Sequence, residues 1–280
     1  MTADVGKAMR LKRVIDTSGV SVICALDHGM TSPVFLEPLA DIATRTAEAV
    51  AGGANVIMMS KGMIRVAERS FAPDTSLALL LSASAGPGGE RPEIVQIAQV
   101  GEALRLGADA VELFTALGAE TEPGMIRTLA AVGRECADLG MPFIAEAEFP
   151  TTYASVESLT AEYGFEYLRR NVRLCAELGA DLVKTNWPGD ADSFAKLVEA
   201  ANGIPMVLAG GSRLEDHELL RRMEEAVDAG GIGCSVGRNI FMHESPQAIT
   251  RALSRVIREH WPATKAFAAL AQDLGREPVR

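Results

Sequence analysis

The sequence predicts an α/β fold, and within that class an eight-stranded (β/α)8 TIM barrel with an extra N-terminal helix. Eight short apolar runs alternate with longer amphipathic stretches along the 280 residues. The runs are mostly continuously apolar, as expected for parallel strands covered by helices on both faces. Five amphipathic stretches end in glycine just before the next run, which is typical of a helix C-cap. A doubly wound open sheet is the alternative, but it should carry a glycine-rich turn after its first strand, where this chain has "LDHGM".

The predicted strands follow one another at regular intervals. They are Val22–Leu26, Asn55–Met59, Leu77–Leu81, Ala110–Leu113, Pro142–Ala145, Asp181–Val183, Pro205–Ala209 and Ile232–Val236. The stretches between them that read as helices include "DIATRTAEAVAGG", "PEIVQIAQVGEALRLGA", "EPGMIRTLAAVGRECADLG" and "EDHELLRRMEEAVDAGG". The glycine signals are "AGGANV", "RLGADAV", "DLGMPF", "ELGADLV" and "DAGGIG". Their recurrence in step with eight strands favours a closed barrel.

The ends of the chain complete the predicted domain. Residues 1–17 are expected to form the extra helix, residues 245–270 the last helix, and "DLGREPVR" a loose tail. No linker or low-complexity segment divides the chain, and a (β/α)8 barrel typically takes about 250 residues. We therefore expect residues 1–280 to form a single barrel domain.

Composition narrows the range of partners. The net charge of −10 and the pI of about 5.0 argue against a nucleic-acid partner, since such proteins usually present a basic face. Local basic groups can still bind an anionic substrate. No apolar run reaches the roughly 18 residues of a membrane span, and the N-terminus lacks a secretory signal, so we expect no membrane partner and a cytoplasmic location. The four cysteines show no C-x-x-C spacing, and we expect reduced, mostly buried thiols.

Lys184 ends the sixth predicted strand, in "DLVKTNWPGD". Barrel active sites lie at the carboxyl ends of the strands, so this position faces the predicted catalytic mouth. Apolar surroundings are expected to lower the lysine pKa, and a neutral amine can form a Schiff base with a carbonyl substrate. The alternative is a structural lysine that pairs with a carboxylate such as Asp27 or Glu146. Spacing alone leaves both open, and it places Lys61, in "SKG", farther out at a turn.

Acid–base candidates stand at other strand ends. Asp27 can serve as a general acid or base, or it can cap the turn and pair with the lysine. His28 can orient that aspartate or serve only in packing. Glu146 and Glu148 share parity along the fifth strand, and either can transfer a proton or pair with a cation at the rim. Tyr153 is a further proton-donor candidate, with loop packing as its alternative.

The last two strands are followed by glycine-rich turns. "LAGGSR" contains Gly210, Gly211 and Ser212, and "VGRN" contains Gly237 and Arg238. Glycine lets backbone N–H groups approach a phosphate, a following helix N-terminus adds positive potential, and an arginine adds a bidentate contact. Either turn alone is better explained as a tight turn. Two on consecutive strands, where barrels commonly bind phosphate, predict a substrate phosphate site.

Metal ions and cofactors are not expected. Of the four histidines, His28, His217, His243 and His260, only His28 clearly lies at a strand end. Two or three histidines at the mouth, which a zinc site commonly needs, are not easily assembled from this set.

The motifs resemble those of a known family. "ALDHG", "ADAVELFTALGAETE", "GADLVKTNWPGD", "VLAGGSR" and "GCSVGRNIFMH" are similar to stretches of the archaeal-type class I fructose-bisphosphate aldolases. They are closer still to the 2-amino-3,7-dideoxy-D-threo-hept-6-ulosonate synthases, a transaldolase-like group. The similarity covers residues 22–257, and the lysine and "GRNIF" blocks are specific in combination.

The resemblance implies a (β/α)8 barrel with Schiff-base catalysis on a phosphorylated ketose or dihydroxyacetone phosphate. It carries the family's lysine over to Lys184 and its strand-one aspartate to Asp27. It carries the phosphate site over to Gly210, Gly211, Gly237 and Arg238. It also implies a higher homo-oligomer, a decamer being one form that the family often takes.

Two stretches depart from the family pattern. A "YPRG"-like stretch after strand five usually supplies a tyrosine proton donor, whereas this chain has "AEAEFPTTY", with Phe149 or Glu148 near that position. Glu146, Glu148, Tyr153 or a water is then the candidate donor. "WPGD" also stands where the family often has "YTGD". These departures leave several chemistries open: fructose-bisphosphate cleavage, condensation with aspartate semialdehyde, thiolase-like acyl transfer on a phosphorylated diketone, and non-catalytic sugar-phosphate binding.

Overall fold

A computed structural model describes residues 2–85, 93–115, 117, 121–150, 154 and 156–276. The ten strands are β1 (Ser21–Ala25), β2 (Val56–Met59), β3 (Ser76–Leu80), β4 (Ser82–Ala85), β5 (Glu93–Gln96), β6 (Ala110–Thr115), β7 (Phe143–Ala147), β8 (Leu182–Thr185), β9 (Met206–Ala209) and β10 (Gly233–Val236). Eight of them pair in parallel and close a barrel in the order β1-β2-β3-β6-β7-β8-β9-β10. The closed parallel barrel confirms the predicted fold class.

The helices pack around the barrel and lead from one strand to the next. They are α1 (Thr2–Val14), α2 (Ile42–Gly52), α3 (Lys61–Ala67), α4 (Val100–Arg105), α5 (Glu122–Leu139), α6 (Val156–Tyr163), α7 (Phe165–Glu177), α8 (Ala191–Ala200), α9 (Asp216–Asp228), α10 (Arg238–Phe241), α11 (Pro246–Glu259) and α12 (Ala263–Asp273). The extra N-terminal helix is present as α1. No helix in the described ranges is long and apolar enough to cross a membrane.

The glycines that precede the strands have the conformation expected of helix ends. Gly53, Gly107, Gly140, Gly179 and Gly230 all have positive φ, between 64° and 105°. Side chains rarely adopt this region, whereas glycine enters it freely, so each glycine lets the chain leave a helix and turn into the next strand. The glycines that recur before the strands in the sequence therefore correspond to a recurring backbone conformation.

Two segments differ from the sequence-based prediction. In the stretch "PEIVQIAQVGEALRLGA", the helix α4 is preceded by β5, which pairs antiparallel with β4 in a two-stranded sheet beside the barrel. Residues 245–270 are two helices instead of one. His260 adopts a left-handed conformation with φ of 52°, and Pro262 follows it, so α11 ends and α12 begins in a new direction.

Side chains alternate between the barrel interior and the surrounding helices. One apolar cluster fills the interior and the other lies between the strands and the helices. The interior cluster consists of Val14, Ile23, Ala25, Val56, Met58, Ala78, Leu80, Ala110, Ile144, Leu182 and Val207. Strands alternate with a period of two, so Glu112, Glu146 and Lys184, two residues beyond three of these positions, also point inward. The barrel is thus apolar at its base and charged toward its carboxyl end.

All four cysteines are buried and free.

Candidate active site

A cavity opens at the carboxyl end of the barrel, where catalytic sites of this fold lie. The residues that line it come from most of the barrel strands and the loops that follow them. They are Ala25, Asp27, His28, Thr31, Ser84, Phe114, Glu146, Glu148, Pro150, Lys184, Ala209, Gly210, Gly211, Ser235, Gly237 and Arg238. Residues from both of the predicted sets, for acid–base chemistry and for phosphate binding, therefore share one cavity.

Lys184 lies inside the barrel among three glutamates. Its Nζ is 2.7 Å from Oε2 of Glu146, 3.3 Å from Oε1 of Glu148 and 3.4 Å from Oε1 of Glu112. Register explains the arrangement, because Glu146 pairs with Lys184 across the β7–β8 ladder. The lysine side chain is only 8% exposed and still lines the cavity. It is a buried cation with access to a bound substrate.

The charge state of Lys184 differs from the sequence-based expectation. Burial by itself lowers the pKa of this lysine, but the carboxylates of Glu146, Glu148 and Glu112 outweigh it and hold the pKa well above its ordinary value. The expectation of a lowered pKa was wrong because the sequence does not show that three carboxyl groups converge on one amine. Lys184 is an ammonium in the resting protein, and a nearby base must take its proton before it can attack a carbonyl.

The carboxyl groups around Lys184 differ in proton affinity. Burial is the main reason that the pKa of Glu112 lies well above its usual range, and the neighbouring Glu146 raises it further. Burial also raises the pKa of Glu148, to about 7, although Lys184 opposes the change. Glu112 and Glu148 therefore hold a proton more readily than an exposed glutamate does.

Asp27 and His28 lie across the cavity at the end of β1. Burial raises the pKa of Asp27, but His28 and Lys184 together bring it below its ordinary value, so Asp27 is a carboxylate. Its Oδ1 lies 3.2 Å from Nδ1 of His28. The imidazole ring packs edge-on against Phe241, with ring centroids 5.2 Å apart. The imidazole thus lies against the aspartate at the wall of the cavity.

The two glycine-rich turns are tied to each other. Asn239 donates from Nδ2 to the carbonyls of Gly210 and Ser212 at 3.0 and 3.1 Å, and its Oδ1 accepts from the N–H of Leu214 at 2.7 Å. Arg238 donates to the carbonyl of Gly211 at 2.8 Å. Loop carbonyls are thereby drawn toward side-chain donors. A guanidinium and glycine backbone line this end of the cavity, which suits an anion.

The structure does not bring every predicted residue into the cavity. Ser212 contributes a carbonyl to the loop but does not line the cavity. Tyr153 lies outside the described residues. Phe149 is buried and stacks on Tyr167 with centroids 5.8 Å apart, which leaves Glu148 as the side chain that faces the cavity. Lys61 forms an exposed ion pair with Glu102 at 3.1 Å.

Several residues of the site, among them Glu112, Ser235 and Asn239, were not among the predicted site residues. Glu112 contacts Lys184 from below, and its signal in the sequence is a charged residue in the middle of an otherwise apolar strand, "AVELF". Ser235 lines the cavity from β10. Asn239 supports the glycine loops, and nothing in the "GRNIF" stretch alone reveals that its amide reaches them. In the described part of the chain, no group of three or more His, Cys, Asp or Glu residues is arranged to hold a metal ion.

Comparisons with known proteins agree with this geometry. The DeoC/LacD family aldolase profile matches residues 21–243. The 2-amino-3,7-dideoxy-D-threo-hept-6-ulosonate synthase of Halobacterium salinarum is 34% identical over 256 residues, which cover 91% of this chain and 93% of that protein. The crystal structure of an archaeal fructose 1,6-bisphosphate aldolase superposes with a TM-score of 0.79 at 25% identity, covering 90% of this chain and 99% of the other.

A structure that describes the mechanism of a Schiff-base-forming fructose-1,6-bisphosphate aldolase superposes with a TM-score of 0.78. It is 25% identical and covers the same 90% and 99% of the two chains. A family profile that spans the barrel and a relative above 30% identity along nearly the whole length together show that this chain belongs to the DeoC/LacD family of aldolases and is a class I aldolase.

Proposed function

We propose that Lys184 forms the Schiff base with the ketone of a phosphorylated donor of the dihydroxyacetone-phosphate type, and that the donor then gains or loses an aldehyde by aldol chemistry. The observation that carries the proposal is the position of Lys184. It is a buried amine that lines the cavity, within 3.4 Å of three carboxyl groups, and the nearest of them, Glu146, can take and return its proton.

Schiff-base formation begins with a proton transfer. Glu146 is 2.7 Å from Nζ of Lys184 and accepts one ammonium proton, which leaves a neutral amine to attack the ketone carbon. The attack produces an alkoxide, which takes a proton from the attacking nitrogen to give the neutral carbinolamine. The carbinolamine hydroxyl then takes the proton held by Glu146 and departs as water. The ammonium and the ketone together become an iminium and one water molecule, so no proton is gained or lost overall. The buried carboxylate stabilises the iminium as it stabilised the ammonium.

The iminium withdraws electrons from the adjacent carbon in the bond-breaking step. Cleavage of the C–C bond releases an aldehyde and leaves an enamine, and the proton of the hydroxyl that becomes the aldehyde passes to a base. Addition of the enamine to an aldehyde reverses this step, and an acid must then protonate the new alkoxide. Glu148 stands where this proton exchange is needed, because it lines the cavity beside Lys184 and has a pKa of about 7. Asp27 faces the same space from β1.

The donor phosphate is proposed to bind at the opposite end of the cavity. Arg238 supplies a cation there, and Gly210, Gly211 and Gly237 allow close approach of a backbone. Barrels of this class commonly bind phosphate at the loops that follow their last two strands. The anion is then held away from the carboxyl groups around Lys184, and the carbonyl of the donor is directed toward the amine.

A second candidate is aldol transfer to an amino-acid-derived aldehyde such as aspartate semialdehyde. It is favoured by the 34% identity to a protein named 2-amino-3,7-dideoxy-D-threo-hept-6-ulosonate synthase. A panel of acceptor aldehydes, with the phosphorylated donor held constant, separates the two. Fructose-bisphosphate cleavage predicts glyceraldehyde 3-phosphate as the preferred acceptor, whereas aldol transfer predicts a preference for the amino-acid-derived aldehyde.

Borohydride trapping tests the Schiff base directly. The protein incubated with dihydroxyacetone phosphate and then reduced should gain one covalent adduct on the peptide that contains Lys184. The variant Lys184→Met should gain none and lose catalysis by roughly a thousandfold or more, because the covalent intermediate is no longer available. Lys61→Met is the matched control, since that lysine follows a strand end but does not line the cavity, and it should trap normally.

Two results would contradict the proposal. The absence of an adduct with every phosphorylated ketose tried, alongside unchanged behaviour of Lys184→Met, would favour a non-catalytic sugar-phosphate-binding barrel. An adduct located on a different lysine would place the chemistry outside the cavity described above.

A further inference from the structure

Glu112 is a carboxyl group that the aldol steps above do not use. It lies in the middle of β6, its side chain is 0% exposed, and it points into the barrel. Burial of a carboxyl group among apolar strands is costly unless the group is paired or protonated. Its pairing is weak, because Oε1 is 3.4 Å from Nζ of Lys184 and Glu146 is much nearer to the same nitrogen. Packing alone would favour an apolar residue at this position.

The two carboxyl groups of Glu112 and Glu146 have oxygens that lack donors. Oε2 of Glu112 and Oε1 of Glu146 are both buried and accept no hydrogen bond from any donor in the described part of the chain. The two carboxyl groups stand on the neighbouring strands β6 and β7 and contact the same nitrogen, Nζ of Lys184, at 3.4 and 2.7 Å. Two such carboxyl groups can form a hydrogen bond with each other only if one of them carries a proton.

The charged and titratable groups that face Glu112 come from three other strands. They are Glu146 of β7, Lys184 of β8 and, at longer range, Asp27 at the end of β1. Lys184 therefore faces several carboxyls at once. A proton held between Glu112 and Glu146 reduces their joint charge to −1, which matches the single positive charge of the lysine ammonium or of the iminium that replaces it.

We propose that Glu112 is a positioning residue that shares one proton with Glu146. The shared proton makes Glu146 a weak base, so Glu146 can take a second proton from Lys184 and later give that second proton to the departing water. The inference rests on the proposed function of Lys184 and adds a residue to it. With one shared proton, the pair accepts the ammonium proton and becomes neutral. When water leaves, the pair gives that proton back, and its single negative charge faces the iminium.

Loss of the shared proton has a defined consequence. Two ionised glutamates beside Lys184 hold it as an ammonium, so Schiff-base formation slows as the pH rises through the range in which the pair ionises. The variant Glu112→Gln keeps the shape and a hydrogen-bond donor but cannot ionise. Glu112→Asp keeps an ionisable carboxyl. The rate of borohydride trapping with dihydroxyacetone phosphate alone, measured against pH, therefore separates a proton-sharing residue from a merely packed one.

The expected result is a change in the shape of the pH profile. The rate ratio of Glu112→Gln to the wild type should rise by roughly tenfold or more from neutral to alkaline pH, because only the wild-type pair gains a second negative charge. Glu112→Asp should retain the wild-type decline. Parallel profiles for all three proteins would overturn the inference, provided that Lys184 is trapped in each. Failure to trap the wild type would instead overturn the proposed function.

Infrared spectroscopy gives a readout that needs no catalysis. The wild-type protein at mildly alkaline pH should show the carbonyl stretch of a protonated, buried carboxylic acid. That band should be missing from Glu112→Gln and retained in Glu148→Gln, which serves as the matched control on the same cavity wall. A wild-type spectrum without the band, or a band that survives in Glu112→Gln, would show that the pair holds no shared proton.

Discussion

Glu148 is a single residue whose surroundings set its charge near neutral pH. It is buried, lines the cavity, and lies 3.3 Å from Nζ of Lys184. Burial raises its pKa to about 7 against the opposing effect of the lysine, and Asn186 contacts its Oε2 at 3.3 Å. An acid is most effective when its pKa is close to the working pH. Glu148 is thus suited to the proton exchange that accompanies C–C bond formation or cleavage.

The variant Glu148→Gln should lose this exchange. In the direction of aldol addition the protonated acid is the active form, so the wild-type kcat should fall as the pH rises through about 7. Glu148→Gln should lower kcat by about 100-fold or more, the usual contribution of a positioned acid, and should abolish that pH dependence. Steady-state rates across the pH range provide the measurement. Glu166→Gln, an exposed glutamate on α7, is the control. An unchanged profile would remove Glu148 from the reaction.

The sequence predicts which residues form the site better than it predicts the charge that each of them carries. Strand parity indicated that Glu146 and Glu148 share a face, and position at a strand end identified Lys184. Neither observation shows how deep in the barrel a side chain lies. Glu112 lies two residues before the inward-facing Phe114, which pairs with Glu146, so it reaches the lysine from one layer deeper. The stagger between neighbouring strands decides this contact, and a single sequence does not contain it.

Gly237 illustrates how an element positions the site. It lies between β10 and α10, and an added Cβ would lie 2.4 Å from Cε1 of His28 and 2.8 Å from the carbonyl oxygen of Ala25. The imidazole can rotate away, but the backbone carbonyl of β1 cannot move without disturbing the barrel. The two strands that bear Asp27 and Arg238 therefore approach each other closely only because this position has no side chain.

The variant Gly237→Ala should damage stability and substrate binding together. Overpacking of this kind costs about 1–3 kcal/mol in the free energy of unfolding. The same displacement should move the loop that carries Arg238 and raise the KM of the phosphorylated donor by roughly tenfold. Urea denaturation and steady-state kinetics give the two values. Gly62→Ala, where an added Cβ meets nothing within 4 Å, is the matched control after another strand. Equal effects of the two variants would contradict this account.

The sequence predicted the strands that leave a local pattern of apolar residues. It did not predict the β4–β5 sheet, which depends on the pairing of two strands. Each of the eight barrel strands overlaps an apolar run, because burial on both faces leaves that mark on the sequence. The β4–β5 sheet leaves none, since β4 consists of alternating serine and alanine, neither of which favours a strand. It is held instead by pairing with β5 and by Ser82, whose Oγ accepts from the N–H of Phe114 at 3.1 Å.

In the molecule as a whole, the two ends of the barrel differ in what they contain and in how they affect stability. The carboxyl end holds the cavity and its buried charges, which are costly to the folded state. The amino end is closed by α1. Lys7 pairs with Asp181 at 2.8 Å, and Arg10 donates to the carbonyl of Gly140 at 3.1 Å. These contacts tie the helix to the chain around β7 and β8, the strands that carry Glu146 and Lys184.

Val14 connects α1 to the barrel core. It is 0% exposed and belongs to the interior cluster, and its carbonyl accepts from Nδ2 of Asn55 at 3.0 Å. Because this valine fills the base of the barrel, Val14→Ala should lower the free energy of unfolding by about 2 kcal/mol, the cost of two buried methyl groups and the cavity they leave. Val5→Ala, at a position 64% exposed on the same helix, should change it by less than about 0.5 kcal/mol. Chemical denaturation measures both.

Because the interior layers lie between Val14 and Lys184, trapping of dihydroxyacetone phosphate by folded Val14→Ala should match the wild type. Equal destabilisation by the two valine variants would show that α1 does not close the barrel, and a loss of trapping in folded Val14→Ala would show that the two ends are coupled.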